Sequence, residues 1–106
     1  MAKINPQDIS WLAPTTNMDG SAIVEPLSYR LAVDGVDFLD FPGTLNPDGR
    51  YSESTASMGL ETGVPLSITL KAFYVSSPSL ISDPSAPLEI ILGVAKPNPP
   101  LDLRAS

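Results

Sequence analysis

Leu66-Ser67-Ile68-Thr69-Leu70-Lys71-Ala72-Phe73-Tyr74 is the stretch that decides the fold. Leu66, Ile68, Leu70 and Ala72 fall on one side of a period-two alternation; Ser67, Thr69 and Lys71 fall on the other. Successive strand side chains point to opposite faces, so this is a half-buried antiparallel strand. Working back along the chain, Leu27-Ser28-Tyr29-Arg30-Leu31-Ala32-Val33 repeats the pattern, with Leu27, Tyr29, Leu31 and Val33 sharing a face. Asp34-Gly35 follows, a two-residue hairpin signal because both residue types tolerate positive φ. Val36 to Phe41 is then the return strand, although both of its faces carry an apolar residue. Nearer the start, Asp8 to Leu12 is a short run in which Ile9 and Trp11 share a face. Towards the end, Leu88 to Val94 is the last strong strand.

Between these runs lie turns and loops. Asp19-Gly20, Pro42-Gly43 and Asn46-Pro47-Asp48-Gly49 are turns by composition. Arg50 to Met58 is polar and reads as a weak edge strand, and Val75 to Pro87 as a long Ser/Pro loop. The 12 prolines punctuate the whole length, and each removes an N–H and clashes with a preceding helical turn. The longest proline-free stretch, Asp48 to Val64, has no apolar stripe at helical spacing. Six or seven short strands with turn signals about every ten residues predict an all-β antiparallel β-sandwich. Its core is expected to hold Trp11, Tyr29, Leu31, Leu66, Ile68, Leu70, Ile90 and Leu92.

Composition narrows the chemistry. The chain has 106 residues, no Cys, no His and a net charge of −6. The length suits one domain. Without Cys or His there is no disulfide scaffold, no thiolate or Ser-His-Asp catalysis and no His-bound zinc. Six scattered basic residues do not make a phosphate-binding patch, so nucleic acid is not an expected partner. No run of 18 apolar residues and no signal-type N-terminal segment occurs, so no membrane partner is expected. The chain opens on Met and reads as a whole small gene product, or as a piece cut from a longer protein.

Candidate sites are few. Asp34, Asp37, Asp40 and Asp48 lie within fifteen residues that contain no Lys or Arg. Hard oxygen ligands suit Ca²⁺, but the EF-hand spacing is missing, and turn aspartates beside glycine are the alternative. Glu25, Glu53, Glu61 and Glu89 fall on separate elements and form no carboxylate pair for glycoside hydrolysis. No serine has a His or Ser-x-x-Lys context, and the glycines sit singly in turns rather than in a phosphate loop. No catalytic residue, cofactor or metal is expected. Leu80 and Ile81, apolar within a Ser/Pro loop, are a possible contact patch.

A family resemblance rests on Ile9-Ser10-Trp11-Leu12-Ala13-Pro14, Asn17-Met18-Asp19-Gly20-Ser21, Tyr29-Arg30-Leu31 and Leu60 to Ala72. Together these resemble a fibronectin type III domain across roughly Asp8 to Val94. That family has a Trp on its second strand, an Asn-x-Asp-Gly-Ser loop and a Tyr on its third strand. Leu66 stands where the family places its corner Tyr, and Thr62 where it usually has Pro. The resemblance implies a sandwich over residues 1–95, with Trp11 and Tyr29 in its core. Residues 96–106 are expected to form an extended tail, polyproline-like at its start.

That tail, with Pro97, Pro99, Pro100, Leu101 and Leu103, is similar to the segment that usually opens such a domain. Three destinations are open to it: the start of a second domain, the first-strand place of its own sandwich, or a neighbouring subunit. The family-level expectation is a bacteriophage virion component, made in the host cytoplasm, whose partners are other virion subunits or copies of itself. A secreted carbohydrate-binding or spacer module is the other reading. It would need exposed aromatics from among Phe38, Phe41, Tyr51, Phe73 and Tyr74.

Overall fold

The computed structural model describes residues 3–93 and 99–105. Among these residues nine strands run in chain order: β1 (Lys3–Ile4), β2 (Asp8–Trp11), β3 (Leu27–Val33), β4 (Val36–Phe41), β5 (Thr44–Leu45), β6 (Tyr51–Ser54), β7 (Leu66–Tyr74), β8 (Ser77–Ile81) and β9 (Leu88–Ile91). One short 3-10 turn, Thr55–Ser57, is the only helical element among the described residues. The larger sheet has the order β1-β9-β7-β3-β4, with β8 added to β7; the smaller is β2-β6-β5. The chain is therefore an all-β, two-sheet sandwich.

The alternation in β7 places its side chains as expected. Leu66 and Ile68 are buried, and Leu70 and Ala72 are half-buried against the same cluster. Tyr29, Leu31, Phe41 and Ile90 join them from the larger sheet; Ile9, Trp11 and Tyr51 come from the smaller. Leu31 and Ile90 are fully buried, and each such side chain removed from water stabilises the fold by about 1.5–3 kcal/mol. Of the expected core, Tyr29, Leu31, Leu66, Ile68, Ile90 and Leu92 are buried, whereas Trp11 and Leu70 are only partly covered.

The ambiguous return strand is explained by a bulge. Leu31 faces Leu39 but Ala32 faces Asp37, so Phe38 is an extra residue on β4. The bulge lets Leu39 and Phe41 turn inward while Phe38 stays exposed. The Asp34-Gly35 turn that joins β3 to β4 has φ of 51° and 84° at its two residues, the positive pair that a type I′ hairpin requires.

Four expectations are corrected. The sandwich is not wholly antiparallel: β1 pairs with β9 in parallel, Lys3 opposite Ile90. Asn5 holds this join, its N–H donating to Ile91 O at 2.8 Å and its Oδ1 accepting from Gly93 N–H at 2.7 Å. Second, β6 is the middle strand of its sheet, not an edge. Third, the stretch does not continue as strand to Met58. It turns at Thr55, whose buried hydroxyl donates to Pro6 O at 2.6 Å, and it delivers Met58 and Leu60 into the core. Fourth, the Ser/Pro loop contains β8, and the last strand ends at Ile91, with Val94 outside the described residues.

The remainder of that loop continues the ladder without being strand. Ser82 N–H donates to Ala72 O at 2.8 Å, and Ser82 Oγ accepts from Ala72 N–H at 2.9 Å. Ser85 does the same with Leu70, at 2.8 and 3.0 Å. Each serine hydroxyl stands in for a backbone carbonyl, so the β7 amides between β9 and β8 remain satisfied.

Candidate docking surfaces

The four aspartates that could have formed a cation site point to separate partners. Asp34 Oδ1 accepts from Ser67 N–H at 3.1 Å, and Asp48 Oδ1 from Arg50 N–H at 3.0 Å. Asp37 lies 3.4 Å from Lys71 Nζ. Asp40 receives both arms of Arg30, at 2.8 and 3.1 Å. For Asp37 and Asp40 the cations missing from the local sequence thus arrive from the adjacent strand β3 and from β7 beyond it. The Arg30 hydrogen bonds hold the Asp40 carboxyl below its ordinary range, and Arg30 is correspondingly raised. No group of three or more acidic side chains gathers among the described residues.

Arg30 also lies over the Phe73 ring, 5.1 Å from its centroid. With Ile81 paired opposite, this explains why Phe73 is buried although it sits on the polar side of β7. The loop contact residues therefore separate: Ile81 is half-buried beside Phe73, while Leu80 is 61% exposed.

The Asn17-Met18-Asp19-Gly20-Ser21 loop is tied to itself. Asp19 Oδ1 accepts from the Ser21 N–H at 2.9 Å and the Ser21 hydroxyl at 2.6 Å, and these bonds lower its pKa. The Tyr74 hydroxyl donates to Asn17 Oδ1 and fastens the loop to the end of β7. Of the five aromatics that a carbohydrate site would draw on, only Phe38 is exposed; Tyr51 and Tyr74 are half-buried, and Phe41 and Phe73 are buried.

Trp11 anchors an aromatic cluster across the two sheets. Its ring lies 5.0 Å from Tyr29, 5.7 Å from Phe41 and 6.4 Å from Tyr51. Burial pushes the Tyr29 phenol above its ordinary range, which the neighbouring indole offsets only in part. The indole Nε1–H is itself buried and has no acceptor at bonding geometry among the described residues.

Two apolar surfaces bear on docking. The first is the tail. Leu101 and Leu103 are 92% and 96% exposed, Pro99 and Pro100 are exposed too, and Pro97 lies outside the described residues. The second is a groove of about 420 Å³ between β2 and the β7–loop edge, with Ile9, Trp11, Leu70 and Leu88 among its walls. Sequence reasoning missed this groove, because periodicity along β2 does not reveal which of its sides lacks a neighbour. Comparison of the chain with protein-family models, with curated proteins and with solved structures finds no match.

Proposed function

We propose that this chain is a non-enzymatic structural protein, a fibronectin type III-like bead that docks on a larger assembly through its C-terminal arm. We further propose that the assembly is a bacteriophage particle, with the chain serving as a head-decoration, neck or tail accessory. The observation that carries docking is the pair Leu101 and Leu103, apolar in alternation and 92% and 96% exposed. Leaving two leucines in water forgoes about 1.5–3 kcal/mol each, an amount recovered when a partner covers them.

The family reading is supported by the arrangement of strands. A β2-β6-β5 sheet against a β9-β7-β3-β4 sheet resembles the layout of an immunoglobulin-like Greek key, with Trp11 on the strand after the first. The particle reading is supported by shape and context. A folded bead carrying an exposed arm suits repeated attachment, and polar side chains of its turns are engaged with nearby side chains and backbone.

The test is quantitative mass spectrometry of particles purified from cells expressing the gene. The chain is expected at high copy number, with loss from particles when residues 96–106 are deleted. Its absence from particles removes the virion reading. Undiminished incorporation of the truncated chain removes the arm.

A further inference from the structure

We propose that the groove beside β2 receives the Pro99–Leu103 arm of a second copy of this chain, so that copies join head to tail. The inference rests on the docking-arm reading and names the arm's partner.

β2 is an edge strand of the order β2-β6-β5, so among the described residues one of its sides has no sheet neighbour. An unpaired strand edge is a template for a further strand. Here that edge borders an apolar groove of about 420 Å³ with Ile9, Trp11, Leu70 and Leu88 in its walls and Arg50, Lys71 and Asp83 around it. Leu12, also in the wall, is 66% exposed, and Leu88 is 40% exposed.

The arm has the complementary features. Leu101 and Leu103 recur at strand spacing, which would put both on one face of an extended arm. Asp102 and Arg104 would then occupy the other face and match a rim that carries both charge signs. Pro99 and Pro100 fix an extended approach, which reduces the entropy lost on docking. They lack an N–H, so pairing begins at Leu101, in keeping with the four-residue length of β2.

The isolated arm is held in a conformation that docking would release. Asp102 has φ of 56°, a left-handed value that costs a non-glycine residue energy. Its carboxylate bonds Arg104 Nε at 2.8 Å, and both side chains are exposed, so opening that pair forgoes little. Extension of Asp102 would align Leu101 and Leu103 for the groove.

The occupant we infer is a second copy, because the arm whose spacing, length and charges match the groove belongs to this same chain and, with both leucines in solvent, lies outside its own groove. A groove on one copy and an arm on the next form a heterologous joint, which propagates into chains or closes into a ring.

Sedimentation velocity on the full chain, from micromolar to millimolar concentration, tests this. The apparent mass should rise with concentration and pass the dimer. Leu101→Asp with Leu103→Asp in the arm, and separately Leu12→Asp at the groove, should each weaken association roughly tenfold or more. All three sites are solvent-exposed, so far-UV circular dichroism should be unchanged. An equimolar mixture of the arm-defective and groove-defective proteins retains one intact kind of joint and should stop at two chains. A wild-type monomer across the whole range overturns the proposal, as does a variant that assembles like wild type. So does a monomer in which NMR finds Leu101 in its own groove. None of these results affects particle incorporation of the chain, which tests the docking reading separately.

Discussion

Gly43→Ala should be far more damaging than Gly35→Ala, although both residues lie in turns at similar backbone angles. Gly43 has φ of 74° and Gly35 has φ of 84°, so each substitution forces an L side chain into left-handed backbone at about 1–2 kcal/mol. Their surroundings differ. A Cβ at Gly35 meets nothing within 4 Å, whereas one at Gly43 falls 2.7 Å from Trp11 Cζ2 and 3.1 Å from Cη2. Carbon atoms rest about 3.5–4.0 Å apart, so the indole or the turn must move by about an ångström. Trp11 is wedged against Tyr29 and Phe41, and overpacking of this kind costs about 1–3 kcal/mol. Gly43→Ala is thus expected to lose about 2–5 kcal/mol, a large part of the roughly 5–15 kcal/mol available to such a domain. Urea unfolding followed by far-UV circular dichroism measures both variants without relying on the single tryptophan. A double-mutant cycle with Trp11→Phe isolates the contact, because phenylalanine has no atoms at the Cζ2 and Cη2 positions. The excess cost of Gly43→Ala should shrink by about 1 kcal/mol or more in that background. Equal costs for the two glycines, or an undiminished excess beside Phe, would refute the steric account.

Four further outcomes are expected. Ser82→Ala with Ser85→Ala removes the acceptors for the Ala72 and Leu70 amides; stability should drop by about 1 kcal/mol per bond, and hydrogen exchange at those two amides should accelerate. Ile90→Ala, at a fully buried position, should cost about 2–5 kcal/mol in the same unfolding assay. Asp40 has a lowered folded pKa because Arg30 bonds its charged form. The stabilisation is therefore complete above the unfolded aspartate value and disappears as pH falls through the folded one. Asp40→Asn should flatten that part of the acid limb, by well under 1 kcal/mol given its exposure. Tyr29 should ionise above the ordinary phenol range in an ultraviolet pH titration; ionisation at the usual value would mean that its hydroxyl is hydrated.

Much of the fold was legible because strand signals are local. The side chains of β3 and β7 alternate within seven and nine residues, and the Asp34-Gly35 turn carries its own φ preference, so both could be read without knowing the neighbours. Phe73 was less legible: its position marks it as outward, but Arg30 and β8 arrive to cover it. Met58 and Leu60 were passed over because a short 3-10 turn, not a periodic element, carries them inward.

By itself the sequence determined the all-β class, the hairpin at Asp34-Gly35, most of the core and the apolar character of the arm. These depend on period-two patterning and residue-specific backbone preferences, which act over a few residues. The tertiary structure alone decided that β6 lies between two strands, that Arg30 and Lys71 neutralise the β4 aspartates, and that, among the described residues, one side of β2 is left without a neighbour. Such features depend on which strands meet in space. Pairing across a sheet joins residues far apart in the chain, and no local pattern along one strand encodes the identity, or the absence, of the next.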